Sequence, residues 1–274
     1  MRRFDGPAIG LGTWYLGDDP RQADEEVAAL RRGLDLGLRV IDTAEMYGSG
    51  RSERLVGRAI AGRRDEVTLV TKVLPHHADR AGVAAAARES LTRLGTTHVD
   101  VYLLHWRGPV PLAETVEALE LLVEQGLTRA WGVSNFDAAD LAELASVTDQ
   151  SRCATNQVLY NLTRRGPEWD LLPLMREAGM PLMAYSPIEQ GRLLHGRAAA
   201  PLARLAADCG LFPAVLALAW AVRDGTTLAI PKSGDVEHVE ENARAAEVTL
   251  PADVLAELDA VFPPPAGPAP LEML

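Results

Sequence analysis

Four side chains able to move or steer a proton stand at or just past short apolar runs. Asp42 ends Val-Ile in VIDTAEMYG, and Tyr47 follows five residues later in a glycine-bordered turn. Lys72 follows Leu-Val-Thr, and His105 follows Tyr-Leu-Leu. Together they could protonate a carbonyl oxygen while another molecule supplies a hydride. A phenol with a pKa of about 10 donates poorly near neutrality. A nearby ammonium favours the phenolate, so Lys72 is expected to lower Tyr47. Asp42 would hold Lys72 and keep it protonated, while His105 would hydrogen-bond the substrate oxygen and orient it. Singly, each has a plain explanation: a rim salt bridge, a satisfied core histidine, a loop aromatic. Their shared position at strand ends points to one site.

The elements that must position them recur along the chain. Eight short apolar, β-branched runs occur near residues 11, 41, 70, 102, 131, 156, 183 and 229, and seven do not alternate cleanly, as expected of strands covered on both faces. Stretches of helical period lie between them, among them ADEEVAALRRGLDLGL, RAGVAAAARESLTRLG and LAETVEALELLVEQG. Gly37, Gly95 and Gly126 suit left-handed helix ends. An extra helical segment, LFPAVLALAWAVRDG, precedes the last strand. Eight β-then-α units predict an α/β fold, a (β/α)8 TIM barrel spanning 1–274 as one domain, with its chemistry where strands end. A Pro-rich tail at 263–274 is expected to run extended over the surface, near the barrel mouth.

Composition excludes several classes. The net charge is −11, from 38 acids and 27 bases, without long blocks of one sign, which disfavours nucleic acid and anionic membranes. No run approaches the roughly 18 apolar residues of a membrane span. The start, MRRFDGPAIG, has no apolar signal region, and a cytoplasmic location is expected. Cys153 and Cys209 are far apart and lack metal-ligand spacing, so neither a metal site nor a disulfide scaffold is expected. His76 and His77 read as loop residues. A monomer or weak dimer is expected.

Seven collinear stretches, IDTAEMYG, LVTKV, VDVYLLHW, WGVSNF, NQVLYN, AYSPI and IPKS, make the chain resemble the aldo-keto reductase superfamily from Gly10 to about Asn242. LLHWRG, CATNQVLYN and AYSPIEQGRL resemble the bacterial branch of methylglyoxal and general aldehyde reductases. The resemblance implies the catalytic roles above for Asp42, Tyr47, Lys72 and His105. It also implies an extended nicotinamide cofactor across the barrel mouth without a Rossmann domain, and indeed Gly10 and Gly12 are followed by Tyr15, which breaks the G-x-G-x-x-G pattern. By the same resemblance, Ser134, Asn135 and Gln157 would bind the carboxamide, and Tyr185 would stack on the nicotinamide. Main-chain amides at Ser186, Gly191, Arg192 and Leu193 would meet the pyrophosphate. Gly12, Thr13 and Trp14 would line the cofactor near the ribose and the substrate pocket.

Lys232 and Ser233 match positions for the adenosine 2′-phosphate, and His238, Glu241 and Asn242 match the adenine side. NADP(H) is therefore expected. His238 stands where the family often has an arginine, and a histidine lacks the guanidinium fork, so NAD(H) is expected to be accepted too. Trp14, Tyr47, Trp106 and the 107–112 loop are expected to wall the pocket for a small-molecule carbonyl substrate. The tail is short beside those of steroid-handling relatives, which argues for small aldehydes. Two other readings stay open: a Schiff-base enzyme using Lys72, and a cofactor-binding redox sensor with little turnover.

Overall fold

The computed structural model describes residues 6–196 and 199–274; the basic start at Arg2 and Arg3 lies outside them. Eight strands, β1 (Leu11–Gly12), β2 (Val40–Asp42), β3 (Thr68–Val73), β4 (Val99–Leu104), β5 (Thr128–Ser134), β6 (Cys153–Leu159), β7 (Leu182–Tyr185) and β8 (Thr227–Ile230), pair in parallel in chain order. The ends meet through the main chain. Gly10 N donates to Ala229 O (2.8 Å) and Gly12 N to Pro231 O (3.0 Å), which closes the barrel. A side chain at Gly12 would put its Cβ 2.6 Å from Ile230 O, so closure requires glycine there.

Helices cover the outside: α1 (Ala23–Asp35), α2 (Arg51–Ile60), α3 (Arg80–Leu94), α4 (Leu112–Glu124), α5 (Ala138–Val147), α6 (Leu171–Glu177), α7 (Ala199–Asp208), α8 (Pro213–Ala221), α9 (Val236–Arg244) and α10 (Ala252–Val261). Their starts and stops follow local chemistry. Asp79 accepts from Gly82 N to cap α3, Asp137 and Asp140 form a capping box on α5, and Asp235 caps α9. Gly37, Gly95 and Gly126 all have positive φ. The expected extra helix is α8, apolar on every side, buried from 214 to 221 and packed against α7, α9 and β8. No single helix among the described residues is long and apolar enough to cross a membrane.

Strand period decides what faces inward. Val40, Val70, Val101, Leu103, Met183, Leu228 and Ile230 fill the barrel interior. Burying a side chain of this kind contributes roughly 1.5–3 kcal/mol. Two residues beyond Val40, Val70 and Leu103 come Asp42, Lys72 and His105, so the same inward face carries them to the C-terminal mouth. Thr71, one residue off, points outward instead and donates to the buried Glu53 of α2 (2.7 Å).

Candidate active site

Lys72 is wholly buried, and its ammonium has three acceptors for three hydrogens: Asp42 Oδ2 (2.7 Å), Thr43 O (2.9 Å) and Tyr47 Oη (3.0 Å). Burial disfavours the charge, but Asp42 and Tyr47 hold the group above its ordinary value. Lys72 is thus an ammonium with every donor engaged, which opposes the Schiff-base reading because that chemistry needs a neutral amine. Burial pushes the Asp42 carboxyl up, while Lys72 and a hydrogen bond from Gln157 Nε2 (2.8 Å) pull it down.

Tyr47 sits half-buried in the turn Tyr47–Gly50, where Ser49 and both flanking glycines have positive φ. Its phenol lies above its ordinary pKa, contrary to the sequence expectation. Burial raises it most, Lys72 lowers it, and Asp42 raises it again. The ammonium does contact the hydroxyl, but desolvation outweighs it. His105 lies edge-on to Tyr47, with ring centroids 5.9 Å apart. Burial, and then the charge of Lys72, push His105 down to about 2, so the imidazole is neutral. Its Nδ1 is buried without a hydrogen-bond partner.

Behind these groups lies a buried hydroxyl cluster. Thr13 Oγ1 donates to Asp42 O (2.9 Å), Ser52 Oγ lies 2.8 Å from Thr13 Oγ1, and Thr43 Oγ1 lies 3.1 Å from Ser52 Oγ. All three residues are fully buried. The cluster ties the end of β1 to the end of β2, and the same Thr43 whose carbonyl receives Lys72 belongs to it.

Two cavities meet over this centre. A groove of about 510 Å³ is lined by Gly12, Thr13, Trp14, Asp42, Tyr47, Tyr185, Ser186, Gly191, Lys232, Ser233, His238, Glu241 and Asn242, among others. A pocket of about 220 Å³ is lined by Trp14, Met46, Tyr47, His105, Trp106, Ser134, Asn135, Gln157, Tyr185, Met273 and Leu274. Trp14, Tyr47 and Tyr185 border both. Tyr185 donates to Asn135 Oδ1 (3.0 Å), and Asn135 Nδ2 donates to His105 O (3.0 Å) and Ser134 Oγ (3.2 Å). Ser134 Oγ in turn donates to Gln157 O (2.8 Å).

Most sequence-predicted residues therefore converge, and three features refine the reading. The side chains of Arg192 and Leu193 do not line the groove, so any part they have there falls to their main-chain amides. Positive φ at Glu189, Gln190 and Gly191 turns Leu193 into the core and sends the Arg192 guanidinium to Glu189 and Gln190, so Leu194 and His195 take the wall. The 107–112 loop is also absent from the pocket, because Arg107 is drawn outward to Glu143 (3.0 Å). The tail does more than cross the surface, since Met273 and Leu274 form part of the pocket wall. Nothing in PLEML marks them for that role, whereas Met46, beside Tyr47, was recoverable from its neighbour.

Comparison with known proteins agrees with this geometry. Residues 8–262 match the model of the Aldo/keto reductase family. The chain is 47% identical over 280 residues to methylglyoxal reductase YeaE of Escherichia coli K12, covering 100% of this chain and 99% of that protein. It is 32% identical over 265 residues to methylglyoxal reductase DkgB of Escherichia coli O157:H7, covering 92% and 93%. An aldo-keto reductase of Klebsiella pneumoniae, solved with NADPH, superposes with a TM-score of 0.94 at 49% identity, over 98% of this chain and 95% of that one. With the barrel, the mouth and these matches in agreement, the chain belongs to the aldo/keto reductase family.

Proposed function

We propose that the protein reduces small, uncharged aldehydes, methylglyoxal among them, with Tyr47 as proton donor. Its place in the family makes it an NADP(H)-dependent oxidoreductase acting on small-molecule carbonyls. One observation carries the assignment of roles: Tyr47 Oη accepts a hydrogen from Lys72. Its own proton is thereby left to point elsewhere, toward the pocket that it shares with His105.

When bound, the reduced nicotinamide supplies a hydride. As that hydride reaches the carbonyl carbon, Tyr47 gives its proton to the oxygen, so an alcohol leaves and a phenolate remains beside Lys72. The ammonium stabilises the phenolate until it is reprotonated. Tyr47 holds its proton in the free protein, and the Lys72 contact favours the phenolate as that proton leaves. His105 steers the oxygen. An orphaned buried acceptor is tolerated better than an orphaned donor, so its unpartnered Nδ1 favours the Nε2–H tautomer, which can donate to the carbonyl.

The residues present fit the cofactor. Gln157 Nε2 and both Asn135 Nδ2 hydrogens are engaged within the protein, which leaves Gln157 Oε1 and a lone pair of Asn135 Oδ1 to accept from a carboxamide NH₂. At the far end of the groove, the Lys232 ammonium has no ion-pair partner among the described residues, as suits a phosphate.

The proposal for small substrates rests on the 220 Å³ pocket, its aromatic and thioether walls, and the withdrawal of Arg107 to Glu143. Similarity to methylglyoxal reductases supports the named substrate. We extend the proposal to a single-domain, cytoplasmic protein that is a monomer or weak dimer, kept in solution by its dispersed charge of −11. The test is oxidation of NADPH by the purified protein with methylglyoxal, an aryl aldehyde and a steroid. Small aldehydes are expected to be turned over fastest; a steroid reduced faster than either would overturn the substrate class. Tight NADPH binding with no turnover would favour the sensor reading.

A further inference from the structure

The two cavities are joined by a residue that lines neither. Arg164, in the turn after β6, donates through Nε and Nη2 to Glu189 Oε1 (3.2 and 2.9 Å) and through Nη1 to Glu272 Oε1. Glu189 is buried. Its other oxygen accepts from Asn161 Nδ2 (2.7 Å), which also donates to Ser186 O (2.9 Å). Asn161 is itself wholly buried, and its Oδ1 accepts from both Thr163 N and Thr163 Oγ1. Both Asn161 amide hydrogens and its carbonyl oxygen are therefore engaged, which fixes Glu189 from behind.

From Glu189 the chain passes directly to Gln190 and Gly191, which line the cofactor groove. From Glu272 it passes directly to Met273 and Leu274, which line the substrate pocket. Leu274 lines that pocket together with Tyr185. Before Glu272 the tail is proline-rich and has no helix or strand of its own, with Leu271 packed against the core. A segment without internal hydrogen bonds takes its position from its anchors.

We propose that Arg164 is a specificity-determining residue: by clasping Glu272 to the rigid Glu189 loop, it holds Met273 and Leu274 as the outer wall of the pocket and so limits substrate size. The inference rests on the small-aldehyde reading and adds the device that enforces it. It also makes the wall share its anchor with the cofactor loop, since Glu189 Oε1 serves Arg192 (3.0 Å) as well as Arg164.

The two partners are not equivalent, which makes the clasp testable. Glu272 is half-exposed, so its pair with Arg164 is screened and Glu272→Gln should act mildly. Glu189 is buried, so Arg164→Met leaves its carboxylate short of a partner and should disturb the cofactor loop as well.

The experiment compares kcat/KM for methylglyoxal and for a bulky polycyclic aryl aldehyde in four variants: Glu272→Gln, Arg164→Met, deletion of 272–274, and that deletion combined with Arg164→Met. The bulky-to-small ratio should rise about threefold in Glu272→Gln, the scale of a screened ion pair. It should rise further in the deletion, and Arg164→Met should add nothing to the ratio once the wall is gone. NADPH affinity should weaken in Arg164→Met and stay unchanged in Glu272→Gln.

Amide hydrogen exchange over 271–274 gives a readout independent of turnover: it should quicken in Glu272→Gln while the barrel strands stay protected. An unchanged ratio with unchanged tail exchange in Glu272→Gln would overturn the clasp, as would a further rise from Arg164→Met on the deletion background. A wild-type protein that prefers the bulky substrate would instead sink the small-aldehyde reading, and the tail exchange would still decide whether Arg164 holds the tail.

Discussion

Lys72 and Lys232 are the only lysines in a chain that has 25 arginines, and the structure treats them in opposite ways. Lys72, in β3, is sealed from solvent with an acceptor for each hydrogen. Lys232, just past β8, is exposed, and its ammonium makes no ion pair among the described residues. Every other cationic side chain that the chain uses for ion pairing is an arginine or a histidine. An ammonium is compact and can meet three acceptors around one atom, whereas a guanidinium is a wide planar fork. The barrel centre needs the first shape. The contrast separates two proposed tasks: the proton-transfer centre is assembled before any ligand arrives, while Lys232 would keep its charge for an incoming anion.

Breaking the first half of the contrast should have the larger effect. Lys72→Met leaves Asp42 buried without its counter-ion, and removing one partner of such a pair costs about 3–5 kcal/mol of stability. Urea denaturation would register the loss, and turnover should fall to background. Lys72→Arg should not rescue it, because the site has no room for the fork. If the arginine variant kept wild-type turnover, a compact ammonium would not be what the centre requires.

Breaking the second half should be gentler and selective. Lys232→Met removes a charge from the groove but no internal bond, so the fold should be unaffected. The KM for NADPH should rise roughly 10- to 100-fold, the worth of a charged hydrogen bond of about 1.5–3 kcal/mol. The KM for NADH should hold, and Lys232→Arg should restore NADPH. Equal losses for both cofactors would mean that Lys232 does not read the 2′-phosphate.

The smallest effect sharpens the contrast through a neighbour. Burial, and then Lys72, keep folded His105 neutral down to about 2, whereas the unfolded chain binds that proton below about 6.5. The unfolded state therefore holds more protons under 6.5, and stability is whole above that pH and declines as pH falls below it. The slope from this one residue is at most about 1.4 kcal/mol per pH unit. His105→Gln should flatten the urea-denaturation profile between pH 6.5 and 5. Lys232→Met should leave that profile unchanged.

Much of this was legible in sequence, for reasons that differ by residue. The strands could be read because runs buried on both faces stay apolar, and their period of two put Asp42, Lys72 and His105 on the inward face. Lys232 could be read from its place after the eighth strand, and the scarcity of lysine would have singled it out without any resemblance. The direction of the Tyr47 pKa was not readable, since it depends on how far desolvation outweighs an ammonium at 3.0 Å. Nor was the role of Met273 and Leu274: a proline-rich tail has no periodicity to betray its destination, which is set by Leu271 and by an ion pair between residues 108 positions apart. The inward turn of Leu193 depended on three successive positive φ angles, two of them at non-glycine residues that sequence gives little reason to expect there.

The central claim is that Tyr47 donates the proton while Lys72 holds its oxygen from the other side. Tyr47→Phe removes only the hydroxyl from the ring, so the aromatic wall stays. The decisive measurement is kcat for methylglyoxal with saturating NADPH, beside NADPH binding, in wild type and in this variant. Turnover reduced by about 100-fold or more with NADPH affinity preserved is the predicted result, since positioned acid catalysis contributes on that scale. Wild-type turnover in Tyr47→Phe would contradict the account.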